Sequence, residues 1–108
     1  MEKEMNTLTE AIEKLRGKEF IQDFYVEDNL LKCKDTKESF KPENVIIETT
    51  VRYEGNSDPD DMSIIYAITT HTGTMGLLID AYGTYANPKI SEFIRLVPVR
   101  EESENQTK

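Results

Sequence analysis

The chain has 108 residues, enough for one domain around one hydrophobic core, and its charged share is 31%. With 13 Lys and Arg against 21 Asp and Glu, its net charge of −8 disfavours nucleic-acid binding, because phosphate backbones are repelled. A single Cys excludes an internal disulfide, and short apolar runs without a leader segment predict a soluble cytoplasmic protein with no membrane partner.

A first helix is predicted over residues 8–16. Thr7 and Glu10 have the spacing of a capping box, in which each side chain bonds a backbone amide near the other residue. The apolar residues then recur at helical spacing: Leu8, Ala11, Ile12 and Leu15. Gly17 follows as the expected left-handed residue that ends the helix.

Two hairpins and one long strand are predicted next. Residues 20–26 and 30–34 form the first hairpin, and residues 35–44 form a loop with one helical turn at Pro42. Residues 45–54 alternate clearly, so that one face carries Val45, Ile47, Thr49, Val51 and Tyr53. Residues 62–71 and 74–82 form the second hairpin, with apolar residues on both faces. Such strands are either covered on both sides or left with one side for a second subunit.

The last predicted element is a helix that begins with Asn87 as cap and Pro88 at its first position. Ile90, Phe93, Ile94 and Val97 form its apolar stripe, and Pro98 ends it at Val97. Residues 100–108 are all polar and predict a disordered tail. The expected fold is a single α+β domain over residues 1–99, with an antiparallel sheet of about five strands and both helices packed on one face.

Acidic residues are concentrated where basic residues are absent. No Lys or Arg occurs from Tyr53 to Pro88, a stretch that contains five acids: Glu54, Asp58, Asp60, Asp61 and Asp80. Asp58, Asp60 and Asp61 lie in one loop and are candidate ligands of a divalent cation. The calcium-loop pattern fails at Asp61 and Ala67, and the alternative interpretation is a turn stabilised by its own side chains.

Asp80 lies within an apolar strand, where a carboxylate is costly to bury without a partner. It is therefore a candidate binding residue, or the anchor of the following turn. Tyr82 and Tyr85 flank Gly83 and are candidates to line a pocket, or else are core rings with exposed hydroxyls.

His71 and Cys33 have no catalytic partner in the sequence. His71 precedes the turn residues Thr72, Gly73 and Thr74, which have the composition of a phosphate cradle but lack a following helix. Cys33 lies between Lys32 and Lys34, which strand alternation directs to the opposite face, so we predict a small buried hydrophobe.

The runs YEGNSDPDDMSIIYAI (residues 53–68) and GLLIDAYGTYA (residues 76–86), together with the opening TLTEA (residues 7–11), resemble a family of short bacterial proteins. The likeness covers most of the chain, and some members are described as phosphoribosylpyrophosphate synthetases. The resemblance implies a bacterial, stand-alone domain. The ribose-phosphate loop of that enzyme has paired acids before a Thr/Gly-rich helix start, whereas VIIETT (residues 45–50) has one acid and no Gly. No catalytic residue is therefore carried over.

Two functions are predicted from these features. The first is a non-catalytic binding or regulatory module that uses the acidic loop and the Tyr-rich segment to bind a protein partner or small ligand, with a homodimer as one version. The second is a small enzyme that acts on a phosphorylated or nucleotide substrate with a divalent cation. No other cofactor is predicted.

Overall fold

The computed structural model describes residues 8–53, 63–81 and 86–100. The elements in chain order are α1 (Leu8–Arg16), β1 (Gln22–Glu27), β2 (Leu30–Cys33), β3 (Ser39–Phe40), a 3₁₀ turn (Pro42–Asn44), β4 (Val45–Tyr53), β5 (Ser63–Thr70), β6 (Met75–Ala81) and α2 (Pro88–Arg95). The predicted α+β class is confirmed. Neither of the two described helices has the length and apolar character needed to cross a bilayer. The predicted tail lies outside the described residues, except for Arg100.

The described strands form one sheet in the order β3-β2-β1-β6-β5-β4. It consists of two antiparallel meanders, β1-β2-β3 and β4-β5-β6, which are joined by a parallel pairing of β1 with β6. The prediction of a purely antiparallel sheet of about five strands was wrong in this respect. Short turns in the sequence predict which strands pair antiparallel. The parallel pairing of β1 with β6 joins strands that are far apart in the chain, so no turn in the sequence indicates it.

The two helices pack on opposite faces of the sheet. The first core contains Ala11, Leu15, Phe20, Ile65, Ala67 and Leu77, and therefore the apolar stripe of α1. The second core contains Phe24, Leu31, Cys33, Phe40, Val45, Ile47, Ile68, Leu78, Ile90, Phe93 and Val97, and therefore the stripe of α2. The prediction that both helices cover one face was wrong, because β5 and β6 are apolar on both faces and each face needs its own cover.

A β-bulge changes the alternation of β4. Ile47 is opposite Ile68 and Thr49 is opposite Ala67, so two steps along β4 match one step along β5 and Glu48 is the extra residue. Ile47 consequently packs in the second core, whereas Val51 packs against the first core. The predicted single face from Val45 to Tyr53 was therefore wrong beyond Glu48.

Helix α1 has the predicted bounds, but the left-handed residue after it is Glu19, with φ 82°, and not Gly17. The Glu19 amide bonds the Arg16 carbonyl at 2.9 Å, and the Phe20 amide bonds the Leu15 carbonyl at 3.3 Å. These two bonds are those of a Schellman motif, and Phe20 and Leu15 share the first core as that motif favours. The predicted cap Thr7 lies outside the described residues.

The remaining local predictions hold closely. The Asn87 side chain accepts a hydrogen bond from the Lys89 amide at 2.9 Å and caps α2. The helix ends at Arg95, two residues before the predicted end, and continues as a turn to the buried Val97. Both predicted hairpins are present, the first with Asp28 and Asn29 at positive φ, as a tight two-residue turn requires.

Candidate functional site

The structure tests the position of one predicted site residue directly. Asp58, Asp60, Asp61, Tyr82 and Tyr85 lie outside the described residues. Asp80 is described, and it is buried near the end of β6, with a relative exposure of 9%.

The described strand ends that flank the other candidates lie together. Tyr53 at the end of β4 is opposite Ser63 at the start of β5, and Ser63 is opposite Ala81 at the end of β6. Residues 54–62 and the residues after Ala81 are therefore attached at one end of the sheet, which we call the acidic end. Two stretches that are separate in the sequence leave the sheet there, one from β4 and one from β6, and β5 pairs with both of these strands.

Asp80 connects the acidic end to α2. Its Oδ1 accepts hydrogen bonds from the Ala81 amide at 2.7 Å and from the Asn87 amide at 3.1 Å, and its Oδ2 lies 3.3 Å from the same Asn87 nitrogen. Because Asn87 is the cap of α2, the carboxylate fixes the start of that helix against the sheet. Backbone amides compensate the burial of this charge, as a buried carboxylate requires.

Two further polar side chains share the sheet face of Asp80. Ile64 of β5 is flanked by Asp80 on β6 and by Arg52 on β4, and Tyr66 lies two residues along on the same face. Burial raises the pKa of the Tyr66 hydroxyl, the Asp80 charge raises it further, and Arg52 opposes both effects. We call Arg52, Tyr66 and Asp80 the polar triad.

The sequence pattern did not indicate the position of Arg52. Unbroken alternation along β4 directs Arg52 to the face opposite Ile47. The bulge at Glu48 reverses this, and Arg52 lies on the same face as Ile47 and Asp80. Nothing in the sequence marks the bulge, so the Arg52 position could not be read from the strand pattern.

Among residues 8–53, 63–81 and 86–100, no three His, Cys, Asp or Glu side chains lie close enough together to hold a metal ion. The acids from Asp58 to Asp61 fall outside those ranges, so the predicted divalent-cation site stays a prediction.

His71 lies at the other end of β5, beyond Thr70. Its ring is packed edge-on against Phe40, with ring centres 5.8 Å apart, and its amide bonds the Asn44 carbonyl at 2.8 Å. Nearby, the Thr74 hydroxyl donates to the Glu38 carboxylate at 3.1 Å. A carboxylate at this position repels an anion, so the Thr-Gly-Thr turn is a poor cradle for phosphate.

Cys33 is buried in the second core, with 1% relative exposure. Its Sγ lies 3.6 Å from the Gln22 side-chain oxygen. The thiol is therefore a small core residue, as predicted, and not a surface nucleophile.

No protein-family model, no curated protein and no solved structure matches the chain. Function is therefore inferred from the acidic end and the polar triad.

Proposed function

We propose that the chain is a small binding module that takes a positively charged partner, a protein segment or a small ligand, at the acidic end of the sheet. The observation that supports this most is the register of Tyr53, Ser63 and Ala81, because the strands that lead into residues 54–62 and 82–85 end at the same end of the sheet. Charges of one sign that are collected in one region create a local field that attracts the opposite charge.

Asp80 and Tyr66 of the polar triad support the same site, whereas Arg52 on the same face carries the opposite charge. Asp80 is held by two backbone amides, and the triad's Tyr66 adds an aromatic ring with a hydroxyl on the same face. A Tyr ring beside carboxylates suits an ammonium or guanidinium group, which gains both charge pairing and a cation–π contact. We propose that Tyr82 and Tyr85 contribute in the same way.

The test uses a synthetic peptide of alternating Lys and Gly, with a Glu–Gly peptide as the negative probe. Isothermal titration calorimetry at low salt is expected to detect the Lys–Gly peptide only. The triple variant D58N/D60N/D61N should weaken binding at least about tenfold, which corresponds to about 1.4 kcal/mol. The control variant D35N/E43Q/E92Q removes the same charge from exposed described positions and should bind nearly as the parent does.

Two results would contradict the proposal: the absence of Lys–Gly binding, or equal weakening in both triple variants. Equal weakening means that net charge alone attracts the peptide and that the acidic end is not a site. Asp80→Asn is a separate variant, because Asp80 also holds the start of α2, and its melting temperature must be compared first.

The alternative enzyme is tested by thermal shift with Mg²⁺, Mn²⁺ and Ca²⁺, each alone and with a nucleotide or ribose phosphate. A ligand present at 100 times its Kd stabilises the folded state by about 2.7 kcal/mol. A clear shift that D58N/D60N/D61N abolishes would favour the enzyme related to phosphoribosylpyrophosphate synthetases over the binding module.

The homodimer version is tested by size exclusion with light scattering. Helices α1 and α2 cover opposite faces of β5 and β6, and the apolar residues of the described sheet that are more than a third exposed are Tyr25 and Ile79. A dimer through a sheet face would have to use these two side chains, so Tyr25→Ser with Ile79→Ser should return a dimer to a monomer.

A further inference from the structure

The outer edge of β4 is covered at one point by the chain itself. In the described sheet, β4 is the last strand, and the segment after α2 returns to it in parallel. The Ile47 amide donates to the Pro98 carbonyl at 3.0 Å, and the Arg100 amide donates to the Ile47 carbonyl at 3.0 Å. Both outward-facing backbone groups of Ile47 are thus satisfied.

A side-chain pair holds the same segment. Arg100 donates from Nε to Glu48 Oε1 and from Nη2 to Glu48 Oε2, the latter at 2.8 Å. This two-point geometry is the strongest form of an Arg–carboxylate pair. The Glu48 side chain is 19% exposed, and it belongs to the bulge residue of β4.

Strand β4, which this segment covers, has the amino-acid composition of strands that pair with copies of themselves. Residues 45–51 read VIIETTV, with six β-branched residues, no Pro, and Glu48 as the single charge. Segments of six or seven residues with high β propensity and low charge pair readily with copies of themselves when their edge is open. Arg100 neutralises the charge of Glu48, so the backbone cover at Ile47 and the bulge are what oppose such pairing.

We infer that Pro98, Val99 and Arg100 form an edge guard, which prevents β4 from pairing with β4 of a second copy of this chain. The guard bonds the Ile47 amide and carbonyl, which a second strand would need for pairing at this position. The bulge at Glu48 twists β4 on the C-terminal side of Ile47, and Arg52 places a charge near the C-terminal end of β4. The edge guard therefore protects the part of the β4 edge that remains flat.

The test compares Arg100→Ala with the parent chain, and Arg95→Ala serves as the matched control because Arg95 is exposed on the last turn of α2. Hydrogen exchange of the Ile47 amide should accelerate about tenfold in Arg100→Ala, since loss of about 1.4 kcal/mol of local stability has that effect. Analytical ultracentrifugation should show a mass that rises with concentration in the double variant E48Q/R100A, in which no Glu48 charge is left to oppose pairing, and not in Arg95→Ala or the parent.

A second substitution shows whether association uses β4. Thr50→Lys in the E48Q/R100A background places like charges near each other in a β4–β4 pair and should abolish association. Glu48→Gln alone removes the charge and one of the two acceptor oxygens of Arg100, and it serves as the comparison if Arg100→Ala fails to fold. Unchanged Ile47 exchange, or association that survives Thr50→Lys, would overturn the edge guard. Neither result bears on Lys–Gly peptide binding at the acidic end.

Discussion

Glu19 shows at the residue scale how a single backbone conformation ends a helix. Its φ of 82° is a region that side chains with a Cβ adopt at a cost of about 1 kcal/mol, and glycine adopts it freely. The Schellman bonds of Glu19 and Phe20 hold it there. Gly17 was predicted for this role, but after α1 ends at Arg16 the i→i−3 bonds of the Lys18 and Glu19 amides extend the turn to Glu19.

Glu19→Gly is therefore expected to raise the free energy of unfolding by about 1 kcal/mol, as measured by urea denaturation. Lys18→Gly is the matched control, because Lys18 is also exposed but has no positive φ, and it should be neutral or destabilising. A lower free energy of unfolding in Glu19→Gly would contradict this account. It would show that the Glu19 side chain stabilises the fold by more than its left-handed backbone conformation destabilises it.

Gly76 is required by the close approach of β6 to β1. A Cβ built at Gly76 would lie 2.4 Å from the Gln22 carbonyl oxygen, so a side chain forces the parallel pair apart. Gly76→Ala is expected to lower the free energy of unfolding by about 1–3 kcal/mol. At Gly17 the nearest atom to a new Cβ is 3.4 Å away, and Gly17→Ala should change stability by less than about 1 kcal/mol. Equal effects in the two variants would contradict this account of the β1–β6 pair.

At the scale of elements, the bulge in β4 decides which side chains meet. It directs Ile47 to the second core, Val51 to the first core, and Arg52 to the face of Asp80. It also places Glu48 where Arg100 can bond both of its oxygens. One extra residue thus links the edge of the sheet, the C-terminal segment and the polar triad.

The Glu48–Arg100 pair predicts a pH dependence. The hydrogen bond from Arg100 lowers the pKa of Glu48 below its ordinary value of 4.5, and burial opposes this shift. A carboxylate with a lowered folded-state pKa stabilises the fold above its unfolded pKa, and this contribution is lost as pH falls through the lowered value. The difference in unfolding free energy between the parent and Glu48→Gln should be largest near pH 6, and it should shrink as the pH falls below the ordinary Glu pKa of 4.5. A difference that is constant from pH 6 to pH 3 would contradict the pairing.

For the whole molecule, net charge is the dominant electrostatic property. A chain of charge −8 repels itself when compact, and five of its acids lie in a stretch without Lys or Arg. Raising the NaCl concentration from about 0.01 M to about 1 M shortens the Debye length from about 30 Å to about 3 Å. The melting temperature should therefore rise with salt.

The distribution of charge predicts which acids cause this response. The melting temperature of D58N/D60N/D61N should rise less with salt than that of D35N/E43Q/E92Q, although both variants carry the same net charge. The reason is that the first set of substitutions removes like charges that are neighbours in the chain. Differential scanning calorimetry of the three chains at the two salt concentrations provides the comparison. Identical responses would mean that the acids do not act as a cluster.

The candidate site was predictable only in its acids. Asp80 is recognisable in the sequence as an acid within an apolar strand, and the sequence also shows that no Lys or Arg occurs near it in the chain. Its actual partners are the Ala81 and Asn87 amides, and its neighbour Arg52 depends on the bulge. The two amides lie only one and seven residues beyond Asp80, but strand alternation does not report a side chain's bonds to backbone amides. Arg52 reaches the face of Asp80 only through the pairing of β4, β5 and β6.

The sequence by itself determined the bounds of α1, the two hairpins, the turn at Pro42 and the cap at Asn87. The Asn87 cap, turn chemistry and helical spacing act within a few residues, so the local sequence pattern predicts them. Only the tertiary structure decided the parallel β1–β6 pair, the opposite faces of α1 and α2, and the edge cover at Ile47. These three features depend on which apolar faces and backbone groups pair with each other across the whole chain. The packing of the complete fold decides between the possible pairings.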